Sequence, residues 1–176
     1  MILTERKFAR ATLSAVEPDG TFAGYASLFG RADLGRDMVM PGAFRASLAR
    51  RGPGGVKMLF QHDPAMPIGV WLDIREDGEG LYVEGRLTTE VEKAREVLSL
   101  MRAGALDGLS IGYRTVRGRT DAKTGVRHLH EVDLWEISVV TFPMLPEARV
   151  VSVKDAQVQL ARTIRRATAM MRDAMR

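Results

Sequence analysis

Three side chains in this sequence have the types that a serine-based hydrolase needs: Ser110, His62 and Glu136. Ser110 lies in Asp107-Gly108-Leu109-Ser110-Ile111-Gly112-Tyr113, between two glycines that lack a Cβ and let other backbone come close to the hydroxyl. A serine hydroxyl becomes nucleophilic at neutral pH only beside a base, for which imidazole is the usual choice. The imidazole in turn needs an acceptor to orient it and to stabilise its protonated form, which a carboxylate supplies. Glu136 interrupts the otherwise apolar Trp135-Glu136-Ile137-Ser138-Val139-Val140, and a buried acid requires a partner. Each residue also has a plainer reading. Ser110 suits a tight barrel strand bent at glycine, His62 suits a turn ahead of Asp63-Pro64, and Glu136 suits the exposed face of a half-covered strand.

Two other arrangements compete for these roles. His128 and His130 stand two residues apart, so on a regular strand they share a face. Either could replace Glu136 as the third member of a triad, and with His62 they could form a three-histidine metal site. No other metal-binding pattern accompanies them, and no cofactor is expected. Gly108-Leu-Ser-Ile-Gly112 also fits the G-x-S-x-G pattern of a nucleophile elbow. That device places serine on a strand-to-helix turn, with the histidine last in chain order. Here a helical pattern precedes the serine and a strand pattern follows it, so the match is accidental.

The elements that would position these residues are mostly short strands. Residues 8–16 and 21–29 form two strands across Glu17-Pro18-Asp19-Gly20, and 38–40 a third. A short helix is expected from Pro41 to about Ala49, broken by the Gly- and Pro-containing stretch 50–55. The strand 56–62 ends at His62, because Pro64 biases Asp63 away from helix. A hairpin joins 68–74, with Ile68, Val70, Leu72 and Ile74 alternating, to 80–87. Thr89-Glu90-Val91-Glu92 reads as a capping box opening a helix to Arg102, with Ala94, Val97, Leu98 and Met101 as its stripe and Gly104 as its stop. After Ser110, a strand at 113–116 leads through a polar turn at 118–125 to a long strand over 126–142. From Ser152 the pattern becomes helical and arginine-rich. The expected fold class is mainly β with helices (α+β), a barrel or sandwich over residues 1–151 followed by a basic amphipathic tail at 152–176.

Composition narrows the possibilities further. A hydrophobic fraction of 45% and a net charge of +4 describe a soluble globular domain whose excess charge gathers near the C-terminus. The absence of cysteine removes disulfides, thiolate metal sites and cysteine nucleophiles. No apolar run approaches a membrane span, and the first residues lack the apolar core of a cleaved signal.

Six blocks then resemble, in order, those of the HK97-type phage prohead maturation proteases. They are Gly24-Tyr25-Ala26-Ser27-Leu28-Phe29, Val39-Met40-Pro41-Gly42-Ala43-Phe44, Leu59-Phe60-Gln61-His62-Asp63-Pro64, Gly69-Val70-Trp71, Gly108-Leu109-Ser110-Ile111-Gly112-Tyr113, and the Trp135 to Pro143 segment. The resemblance implies a serine endopeptidase with a β-barrel related to herpesvirus assemblin, flanked by helices. It places the family's serine on Ser110, its histidine on His62 and its acidic third member on Glu136, where the herpesvirus enzymes use a second histidine. The implied substrates are the scaffolding segment of the major capsid protein and the protease's own chain, inside the procapsid in the host cytoplasm. A homo-oligomer is allowed for, with no membrane and no specific nucleic-acid partner, and the tail is expected to dock on assembly partners or to pack on its own domain. The alternative is a non-enzymatic scaffold or capsid-interaction module of the same assembly.

Overall fold

The computed structural model describes residues 16–151. The expected strand over 8–16, apart from its last residue, and the expected helical tail after 151 lie outside the described residues. Eight strands and two helices follow in the order β1 (Thr21–Leu28), β2 (Asp37–Val39), α1 (Arg45–Gly55), β3 (Lys57–Phe60), β4 (Asp63–Glu76), β5 (Gly80–Leu87), α2 (Glu92–Arg102), β6 (Gly108–Thr120), β7 (Arg127–Val140) and β8 (Val150–Val151).

All eight strands belong to one strongly curled sheet, in the order β2-β7-β3-β4-β5-β1-β8, with β6 on the other edge of β7. β2 and β3 both run parallel to β7, one beside its start and the other beside its end. β6 pairs antiparallel along nearly the whole of β7. The sheet's ends then meet. Leu109 N–H donates to Ala148 O and Val150 N–H to Asp107 O, so the start of β6 lies against the segment leading into β8. Gly24 permits this closure on the β1 side, since a Cβ there would stand 2.4 Å from the carbonyl oxygen of Arg149.

The enclosed core contains Phe22, Met58, Ile68, Leu81, Leu109 and Ile137, all fully buried. Each such side chain contributes about 1.5–3 kcal/mol relative to exposure. α2 closes one side with the stripe the sequence predicts, Ala94, Val97, Leu98 and Met101. α1 is tied to β7 through Asp133, a buried carboxylate that accepts from Arg50, from Arg51 at 3.0 Å and from the Trp135 indole at 2.9 Å.

Several local expectations need correction. The α2 N-cap is Val91, with no side-chain capping bond, so Thr89 does not form a capping box and the helix begins at Glu92. The first helix starts at Arg45, after Glu76 has accepted the N–H groups of Gly42 and Phe44. It continues through the stretch expected to break it, interrupted only at Gly52, where φ is 62° and the helical path is lost. In β4 the alternating set does not form one buried face: Ile68 and Ile74 are buried while Val70 and Leu72 are exposed. A bulge between Trp71 and Asp73 adds a residue to the strand and turns Trp71 inward instead. Finally, β6 includes Ser110 and runs to Thr120, so residues 118–120 belong to a long β6–β7 arm and the polar turn begins at Asp121.

Candidate active site

His62 reaches the site from an unusual turn. Phe60 and Asp63 are paired across the β3–β4 hairpin, leaving Gln61 and His62 as a two-residue loop. Both have left-handed backbone, with φ of 53° and 60°. This is the φ pattern of a type I′ turn, which Asn-Gly fills most easily and side chains such as these fill only against strain. β7 holds the turn in place. Gln61 N–H donates to Val139 O at 3.1 Å, the Gln61 amide donates to Thr141 Oγ1 at 2.7 Å, and His62 N–H donates to Ser138 Oγ at 3.0 Å.

Ser110 and Glu136 come from the in-register stretch of the β6–β7 ladder that precedes its irregularity at Gly112/Tyr113. Ser110 lies opposite Ser138, and Gly112 opposite Glu136. Their side chains converge on His62. Its Nδ1 is 2.7 Å from Glu136 Oε1, and its Nε2 is 2.9 Å from Ser110 Oγ. Because an ionised carboxylate only accepts, Nδ1 carries the proton and Nε2 is free to accept the Ser110 O–H. The hydrogen bond to Glu136 raises the His62 pKa above its ordinary value, against an opposing effect of partial burial. Ser110 is 5% exposed, while the His62 side chain keeps 42% of its surface in solvent.

Two further residues complete this arrangement: Ser138, which sequence reasoning did not single out, and Gly112, which it expected only to let backbone approach Ser110. Ser138 is fully buried; its hydroxyl donates to Glu136 Oε2 at 2.6 Å while accepting the His62 N–H. One side chain thus fixes both the acid and the strained turn. The signal was present, since Ser138 is two residues beyond Glu136 and therefore shares its strand face. The other residue is Gly112, where an added Cβ would lie 2.0 Å from Glu136 Oε1. The glycines around Ser110 make room for protein groups: Gly112 for the acid, and Gly108 for Val140 O and the Pro143 ring.

His128 and His130 do not join the cluster. His128 pairs with Met38 and Arg119 near the start of β7. His130 is six residues before Glu136, about 20 Å along an extended strand. Among the described residues, no group of three histidine or acidic side chains is placed to hold a metal ion.

Residues 9–162 match the family model described as Caudovirus prohead serine protease. The chain belongs to that family. The prohead protease of Enterobacteria phage HK97 is 35% identical over 158 residues, spanning 89% of this chain and 69% of the relative. That of Escherichia phage T5 is 33% identical over 86 residues, covering 49% of this chain and 40% of the relative. In fold, the chain is similar to the bacteriophage T4 capsid assembly protease, with a TM-score of 0.54 at 14% identity over 68% of this chain and 80% of that one. It is also similar to the KSHV protease solved with a hexapeptide phosphonate inhibitor, with a TM-score of 0.52 at 13% identity over 74% of this chain and 63% of that one. The expected assemblin-like architecture is therefore the one observed, and the chain is a serine protease of the prohead family.

Proposed function

We propose that this prohead protease cleaves the scaffolding segment of the capsid protein, and its own chain, inside the procapsid through a Ser110–His62–Glu136 triad. The hydrogen-bonded series from Ser110 Oγ through both ring nitrogens to Glu136 carries the reading. Ser110 Oγ attacks the scissile carbonyl carbon as its proton passes to His62 Nε2. The tetrahedral adduct collapses, the C–N bond breaks, and the leaving amine takes the proton from Nε2. Water then gives a proton to Nε2 and attacks the acyl-enzyme, and the ester bond breaks as Ser110 recovers its proton. Throughout, Glu136 holds the ring in the tautomer required and stabilises the imidazolium.

Ser110→Ala, co-expressed with its capsid protein, should leave that protein full length on mass spectrometry, whereas the wild type shortens it. Correct shortening by the variant would remove Ser110 from the mechanism. A non-enzymatic assembly module is distinguished by a fluorophosphonate probe. The protease reading expects rapid labelling at Ser110 that disappears in His62→Ala, while an inert module would not label in either form.

A further inference from the structure

A pocket of about 160 Å³ opens beside Ser110, between the start of β6, the end of β1 and the loop from β1 into β2. Its lining combines apolar Ala26, Val39, Leu109 and Ile111 with the carboxylates of Asp33 and Asp37. These two acids differ in their partners. Asp37 is neutralised by Arg127, whose Nε donates at 2.7 Å, and it also accepts from the Tyr113 hydroxyl at 2.8 Å. Among the described residues Asp33 forms no direct salt bridge; it is half-buried, accepts the backbone N–H groups of Asp37, at 2.8 Å, and of Gly35, and feels Arg127 only through space. Among the described residues, the cation in the lining is Arg31, which is bonded to Glu147 at 3.1 Å. Among the described residues, the lining therefore holds one carboxylate, Asp33, that no direct salt bridge neutralises, together with several apolar side chains.

Partial burial is the main reason that the Asp33 carboxyl lies above its ordinary pKa, with the neighbouring Asp37 charge adding to the effect. A cation arriving in the pocket would relieve both. Lysine and arginine combine an apolar stem with a charged end, which suits a lining that holds both apolar side chains and an acid. We propose that this pocket is a specificity subsite that takes a lysine or arginine side chain of the substrate next to the scissile bond, with Asp33 as its selecting residue. The assignment rests on Ser110 being the nucleophile, because that is what places the pocket at the bond to be cut.

The test is cleavage of a peptide library by the full chain, with the cut sites read by mass spectrometry, alongside the rate of fluorophosphonate labelling at Ser110. The wild type should favour Lys or Arg at one position flanking the bond. Asp33→Asn, which keeps the size and an acceptor for the Asp37 N–H, should lower the basic-over-neutral preference about tenfold or more while labelling stays near the wild-type rate. A wild type that labels but prefers apolar or acidic residues there overturns the assignment, with or without a folded variant. So does an Asp33→Asn protein that labels normally and keeps its basic preference. A wild type that neither labels nor cleaves overturns the protease reading itself.

Discussion

The two strand pairs that build the site hold their residues in opposite ways. The β6–β7 ladder presents Ser110 and Glu136 from regular paired backbone, where their directions follow from register and glycine supplies clearance. The β3–β4 hairpin presents His62 from a two-residue turn in left-handed backbone, a conformation costing about 1–3 kcal/mol for each such residue. The ladder is held by repeated backbone pairing, while the turn, flanked by the Phe60–Asp63 pair, is tied to β7 by bonds to Ser138, Val139 and Thr141. His62 is therefore fastened to the strand that carries Glu136.

The largest effect should come from removing the charge that joins the two regions. Glu136→Gln should lower kcat/KM by about 10³–10⁴-fold, because the amide can stabilise the wrong tautomer of His62. The pH profile should move too. Glu136 is what raises the His62 pKa, and the base works only when unprotonated, so activity rises as pH passes upward through that raised value. With glutamine, the acid limb of kcat/KM should shift to lower pH. The stability contributed by the pairing is complete below the unfolded histidine value and is lost as pH rises through the folded one, so this dependence should flatten in the variant. An unshifted acid limb would mean that another group sets it.

Gly112→Ala tests the ladder's contribution without replacing a functional side chain. The new methyl would occupy the space of Glu136 Oε1, so the carboxylate must leave His62 or the strands must part. Activity should fall by about 10²-fold or more, while the melting temperature drops by only a few degrees, since Gly112 is partly exposed. Near-normal turnover would show that the site accommodates a displaced acid.

Much of this was legible in the chain. Alternation and turn residues marked most of the strands, and a lone acid in an apolar run pointed to Glu136, because burial makes such an acid need a partner. The misreadings share a physical origin in tertiary bonds that replace local ones. Thr89 lost its capping role because α2 begins beyond it, and α1 begins late because Glu76, on a distant strand, holds the chain before it. The bulge in β4 arises from pairing between strands, so its own sequence gave no sign of which alternate residues would face out. Ser138, and the clearance that Gly112 gives the acid, became meaningful only once register set them beside Glu136. Gln61-His62 resembled a strand end because nothing local favours left-handed backbone there.

That last point separates the turn from the ladder most directly. If the Gln61-His62 turn stores strain for the sake of placing His62, relief at the neighbouring residue should stabilise the fold while leaving the chemistry alone. Asn is the residue best suited to the first position of a type I′ turn. Gln61→Asn would lose the exposed bond to Thr141 Oγ1, worth little in water, and keep the backbone bond to Val139 O. The melting temperature should therefore rise by about 1–3 °C, with kcat/KM within about threefold of wild type. A clear fall in melting temperature with activity preserved would mean that the side-chain bond to β7 outweighs the strain. A fall in both would mean that Gln61 positions His62 through its amide, and that the turn is held by its side chain more than by its backbone.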